Sequence, residues 1–176
     1  GTAVPLRAGR LDERRRAAHL AFATFRRPGH PEQVAVVMPD AVQVWSLTTG
    51  RPVVTVRWVA SKSQHAAVFS QDGNRLAAIS QDGVTAVWNT DRAAGPGSQV
   101  PTAEKDDLLG FTPDGVLVSV RQSDQADGVR LWNPDTGSQL MSMASVSPGD
   151  MWQLSGNRLT DFAEGLTRSF ELNPEL

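Results

Sequence analysis

The chain has 176 residues, 40% of them apolar, and a formal charge of −2 at pH 7. That is enough chain for one domain with a real core, and its charge balance excludes both a disordered segment and a general binder of phosphate backbones. The sequence has no cysteine, which excludes a disulfide-stapled module, a thiol nucleophile and a thiolate metal site. In chain order, GTAVPLRAGR carries no long apolar signal segment, and no run approaches the ~18 apolar residues of a membrane span. No nucleic acid and no membrane is therefore expected as partner, and a cytoplasmic origin is the expectation. Residues 3–6 (AVPL) read as an outer strand. Residues 7–18 exceed a hairpin connection, and their Arg14-Arg15-Arg16 cluster, flanked by Asp12 and Glu13, reads as solvated surface. Strands are then expected at 19–25, 34–37, 41–46 and 52–58. A second group falls at 64–70, 75–80, 84–89 and near 99–101, a third at 107–111, 116–121, 128–133 and 138–143, and a last at 150–154, 158–162 and 166–171. Residues 92–107 form a second long connection, with Ala93-Ala94-Gly95-Pro96-Gly97-Ser98 at its centre.

Three signals recur in one fixed order. PDAVQVW ends at Trp45, SQDGVTAVW at Trp88, QADGVRLW at Trp132 and a weaker AEGLTRSF at Phe170. FSQDG at 69–73 and FTPDG at 111–115 precede two of these, and WQLSGN at 152–157 is a decayed copy. SLTTGRPV at 46–53 and NPDTGSQL at 133–140 follow two of the tryptophans. The period is roughly 40 residues, that of a four-stranded unit which cannot bury both apolar faces alone and must stack on its neighbours. Asp-Gly pairs supply the turns, because aspartate bonds its own backbone and glycine tolerates positive φ. The alternating runs ending on a bulky aromatic favour strand over helix.

With Phe69 to Gly73, Asp82 to Trp88 and Thr49-Gly50 in place, the chain resembles the WD40-repeat β-propeller family, in a degenerate bacterial-type form. The resemblance covers nearly the whole chain, 1–176, and implies an all-β propeller of about four four-stranded antiparallel blades. The approximate blades are 19–58, 64–101, 107–143 and 150–171, with strand 3–6 complementing the last, which lacks its fourth strand. Four blades then form part of a larger ring, half of an eight-bladed homodimeric ring closed by a second copy, or a small ring closed alone. Departures from the family pattern are visible. Ser46, Asn89 and Asn133 stand where an aspartate usually follows the tryptophan, and His19 is the only remnant of the Gly-His before the innermost strand. The family's buried Asp-His-Ser/Thr-Trp network is therefore expected to be incomplete.

Trp45, Trp88, Trp132 and Phe170 are expected in the core between blades, with Phe69, Phe111 and Trp152 packed similarly. Asp40, Asp72, Gly73, Asp82, Gly83, Asp114, Gly115, Asp127 and Gly128 are assigned to turns; the acids recur because turns recur, not as a paired-carboxylate site. His19, His30 and His65 are not spaced as metal ligands, and neither a phosphate loop nor a nucleophile elbow is present. No catalytic, cofactor or metal residue is assigned. Trp58 beside Arg57, at the end of an outer strand, is the protein-contact candidate. The resulting expectation is a non-catalytic protein-interaction or sensory scaffold, like the C-terminal repeat regions of bacterial regulatory proteins, with a protein partner of unspecified identity. The alternatives are an oligomerisation element that completes a ring with a second copy, and a hydrolase or ligand-binding site in the propeller funnel.

Overall fold

The computed structural model describes residues 21–25, 32–38, 41–57, 64–80, 83–91, 97–103, 106–121, 128–144, 151–163 and 166–172. Every regular element in them is a β-strand, and the strands form four antiparallel sheets taken in chain order. The first sheet holds β1 (Ala21–Phe25), β2 (Gln33–Met38), β3 (Ala41–Ser46) and β4 (Arg51–Arg57). The second holds β5 (Gln64–Phe69), β6 (Arg75–Ser80), β7 (Thr85–Asn89) and the short β8 (Ser98–Val100). The third holds β9 (Asp106–Phe111), β10 (Leu117–Arg121), β11 (Gly128–Trp132) and β12 (Gln139–Ala144). The fourth has three strands among the described residues, β13 (Met151–Ser155), β14 (Arg158–Ala163) and β15 (Leu166–Glu171). Strand 3–6 and the 7–18 segment lie outside the described residues.

Each sheet is a meander in which a strand pairs only with its chain neighbours. The first strands of successive sheets, β1, β5, β9 and β13, lie side by side. This is the arrangement of four propeller blades around a common inner edge. The two central blades explain why alternation fades there: β6 is buried at five of six positions and β7 at four of five, because both faces are covered. In β3 the alternation survives, with Val42, Val44 and Ser46 buried between half-buried neighbours.

Three cores hold the described blades together. Ala35, Val37, Val42 and Val44 of the first blade pack on Leu76, Ala78, Ala86 and Trp88 of the second. Ala77, Ile79, Val87 and Val100 on the second blade's other face meet Leu108, Phe111, Leu117 and Trp132 of the third. Val118, Val120, Val129 and Leu131 then meet Leu159, with Trp152 and Leu154 packed alongside. Each of the first three blades thus has a forward face of small or branched apolar residues, which in the second and third cores meets or adjoins large aromatics of the next blade. Burial of such side chains contributes roughly 1.5–3 kcal/mol apiece, so these cores dominate the stability.

Strand register gives the repeat its atomic form. Trp88 lies opposite Leu76, which lies opposite Phe69. Trp132, Leu117 and Phe111 form the same row in the third blade. In the fourth the row is Phe170, Leu159 and Leu154, and in the first Trp45, Val34 and Thr24. Leu154, rather than Trp152, therefore fills the slot of Phe69 and Phe111. Trp152 sits two residues earlier on the same face, its ring 6.3 Å from that of Phe170. A register shift immediately before the aromatic recurs at Val44/Trp45 and Leu131/Trp132, so the tryptophans of the first and third blades follow a bulge.

Burial departs from strict equivalence at the two ends of the array. Trp88 and Trp132 are 5% and 4% exposed, as expected for core aromatics. Trp45 is only half-buried, and its Nε1 donates to Gln43 Oε1 at 3.2 Å. The reason is positional: Trp45 is on the rear face of the first blade, and among the described residues no sheet lies against that face. Phe170 is 38% exposed at the edge of a sheet with only three described strands.

Candidate interaction site

The turns between first and second strands of the second and third blades are each held by a hydroxyl. Ser70 Oγ accepts from Arg75 N at 2.8 Å, and Thr112 Oγ1 accepts from Val116 N at 3.0 Å. Ser80 Oγ does the same for Val84 N at 3.2 Å in a turn on the opposite rim. In all three turns the glycine N–H donates to the carbonyl of that same serine or threonine, at 2.9 Å. Asp-Gly thus shapes the reversal, but the buried Ser or Thr three residues before the glycine ties the two strands.

Asp72 completes the first of these turns. It accepts from Ser70 Oγ, from Asn74 N at 3.0 Å and from Asn74 Nδ2 at 3.0 Å. Partial burial works to raise its pKa, but these hydrogen bonds together outweigh it and hold the carboxyl below its ordinary value of 3.8.

Between the equivalent turns of the second and third blades lies a small polar cavity of about 130 Å³. Ser70, Gln71, Asp72 and Arg75 line one side, and Thr112 and Asp114 belong to the other. Arg75 crosses the blade junction: its Nη2 donates to Asp135 Oδ2 at 3.0 Å, in the Asp-Thr-Gly turn of the third blade. Its Nη1 lies over Gly115. The second blade's guanidinium is therefore bonded to a turn of the third, and Asp72 and Asp114 line the same cavity as Arg75. Asp72, Asp114 and Asp135 are all exposed.

On the opposite rim the third blade buries a charge. The Asp106 side chain is fully buried and accepts from Arg121 Nε at 2.9 Å, from Arg130 Nη1 at 2.8 Å and from Ala103 N at 3.0 Å. Nearby, Thr85 and Thr102 share a hydroxyl bond of 2.6 Å, and Thr102 also donates to the Gly83 carbonyl at 2.5 Å. These bonds anchor the connection from β8 to β9. Two residues along from the aromatic row, Ser119 accepts from Trp132 Nε1 at 2.9 Å. The same slot holds Ala78 in the second blade and Asp161 in the fourth, where Asp161 pairs with Arg168. The indole–hydroxyl bond is thus found in one blade and replaced by an ion pair in another.

Of the turn residues expected from sequence, Asp72, Gly73, Gly83, Asp114 and Gly115 lie in turns. Gly128 does not: it is the first residue of β11, opposite Ala144, and a Cβ there would stand 2.8 Å from the Met143 carbonyl oxygen. Close backbone approach, not reversal, accounts for this glycine. Asp40, Asp82, Asp127 and Trp58 lie outside the described residues, as do His19 and His30. Arg57 is the last residue of β4. Asp106, Arg121, Arg130, Arg75 and the turn hydroxyls carry most of the polar structure. Sequence reading passed over them, since no motif links residues joined only by strand register.

Among the described residues no group of three or more His, Asp or Glu side chains is placed to hold a metal ion, and no helix is long and apolar enough to cross a membrane. No protein-family model matches the chain, and no curated protein matches it.

Proposed function

We propose that this chain is a non-catalytic protein-interaction module, a segment of a WD40-type propeller working as a scaffold or sensor in a cytoplasmic regulatory protein. The observation that carries this reading is the Arg75 groove. It joins two repeats on one rim, is open and polar, and is lined by Asp72 and Asp114 together with Arg75, which pairs with Asp135. Such a site has a surplus of negative charge and suits a partner segment offering lysine or arginine, with recognition that weakens as salt rises. The buried acids support the same reading. Asp106 and Asp161 are each committed to arginines rather than aimed into a cavity.

Affinity capture with the intact chain tests this. A partner retained by wild type, released by moderate salt and lost with Asp114→Arg at unchanged melting temperature is the expected result. Equal capture by wild type and Asp114→Arg would remove the groove as the binding surface.

A further inference from the structure

The two ends of the blade array differ in chemistry. The rear face of the first blade carries Val34, Val36 and Trp45, all half-buried, in the row and face that Leu76, Ala78 and Trp88 occupy in the second. Its neighbouring turn shows the same lack of cover. Pro134, which follows Asn133 in the third blade, is buried, whereas Leu47, its repeat equivalent, is 49% exposed. A Cβ on Gly137 would stand 2.4 Å from the Gln99 carbonyl oxygen of the preceding blade, while one on Gly50 would meet nothing within 4 Å.

The forward face of the fourth blade is of another kind. In the slots of Val118, Val120, Val129 and Leu131 it carries Thr160, Phe162, Thr167 and Ser169. Thr160 and Ser169 share a hydroxyl bond of 3.3 Å, and beside them an exposed Arg158 pairs with Glu171 at 2.8 Å. Phe162 is 42% exposed and Met151, opposite it, 68%. Laid on Trp45 this face would bury hydroxyls and an ion pair against valines with no partners supplied, which costs free energy at every unpaired group.

We infer that the rear face of the first blade is a docking surface for an apolar blade, and that the fourth blade of a second copy is not its occupant. The occupant is a four-stranded antiparallel sheet presenting alanine, valine, isoleucine or leucine from its two middle strands, the chemistry that covers Trp88, Trp132 and Leu159 in the three described cores. The inference rests on reading the chain as a segment of a propeller ring, and it selects against the homodimeric way of closing that ring.

The experiment measures solution mass with and without the missing chemistry. Wild type is expected at its monomer mass of 19.0 kDa. The quadruple variant Thr160→Val, Phe162→Val, Thr167→Val and Ser169→Leu copies the third blade's forward face onto the fourth. It is expected to associate head to tail with a Kd of about 10 μM or tighter, at least doubling the mass. Adding Trp45→Glu is expected to return it to monomer. A wild-type dimer dissolved by Trp45→Glu would overturn the inference while leaving the ring-segment reading intact. A folded quadruple variant that stays monomeric, or association that Trp45→Glu does not touch, would also overturn it. If the quadruple variant fails to fold, Trp45→Glu in the wild-type background decides: an unchanged melting temperature supports an uncovered face, and unfolding comparable to Trp132→Glu contradicts it.

Discussion

The Gly137 Cα faces the Gln99 carbonyl so closely that a methyl group there would lie 2.4 Å from the oxygen. This contact seats the Asp-Thr-Gly turn of one blade on the outer strand of the blade before it. Gly137 has φ +72° and Gly50 has φ +64°, so both favour glycine for conformation, but only Gly137 is also hemmed in by backbone. Gly137→Ala is expected to destabilise by about 3 kcal/mol, from left-handed strain plus displacement of the β8 carbonyl. Gly50→Ala is expected to cost only the strain, about 1 kcal/mol. Urea unfolding of the two variants checks the difference.

Trp132 depends on a single hydroxyl for its indole N–H. Ser119→Ala leaves that donor buried without its partner and is expected to cost about 2 kcal/mol. Trp132→Phe removes the donor but leaves a gap, at a similar cost. Because both substitutions delete the same bond, the double variant is expected to be more stable than the sum of the singles. A double-mutant cycle measures this, and additivity would show that the bond contributes nothing.

The two arginine–aspartate contacts of the third blade's rims should behave very differently. Asp106 is fully buried beneath guanidiniums that are themselves 29% and 22% exposed. Asp106→Ala strands Arg121 and Arg130 at a rim of the third blade without their buried carboxylate and is expected to cost about 3 kcal/mol. The Arg75–Asp135 pair is 31% and 70% exposed at its side chains. Asp135→Ala is expected to cost less than about 1 kcal/mol, with a salt dependence that Asp106→Ala lacks. Thermal unfolding at low and high ionic strength separates the two.

Asp72 gives the fold a defined acid sensitivity. Its folded pKa lies below 3.8, so its hydrogen-bonded carboxylate stabilises the native turn above that value, and the contribution is lost as pH falls through the lowered folded pKa. Wild type is expected to lose stability below about pH 4 more steeply than Asp72→Asn, and the two curves should run parallel at pH 6–8. Denaturant midpoints across pH 2.5–7 test this.

The tryptophan spacing and the Asp-Gly turns make the four-blade, all-β architecture legible in the sequence, because periodic apolar runs and turn chemistry act locally. The burial of Trp88 and Trp132 follows from the same pattern. Trp45 has the same local sequence but a different environment, since its burial depends on what lies against the sheet and not on the strand that carries it. Leu154 and Trp152 exchange roles because register, not similarity to FSQDG, decides which residue faces Leu159. The Asp106–Arg121–Arg130 cluster unites three strands at one rim, and the hydroxyls of Ser70, Ser80 and Thr112 are ordinary residue types whose role appears only with the turn closed. In each case the missing information is a distance across strands.

The blades form a serial array in which, among the described residues, no sheet covers the first rear face, and the tryptophans report on this directly. The measurement is ¹⁹F NMR of the chain labelled with 5-fluorotryptophan, resonances assigned by single Trp→Phe substitutions, comparing shifts in H₂O and D₂O. Trp45 is expected to show a clear solvent isotope shift, with Trp88 and Trp132 showing almost none. A Trp45 resonance as insensitive to solvent as the other two would mean that a sheet covers that face, and would contradict the open array.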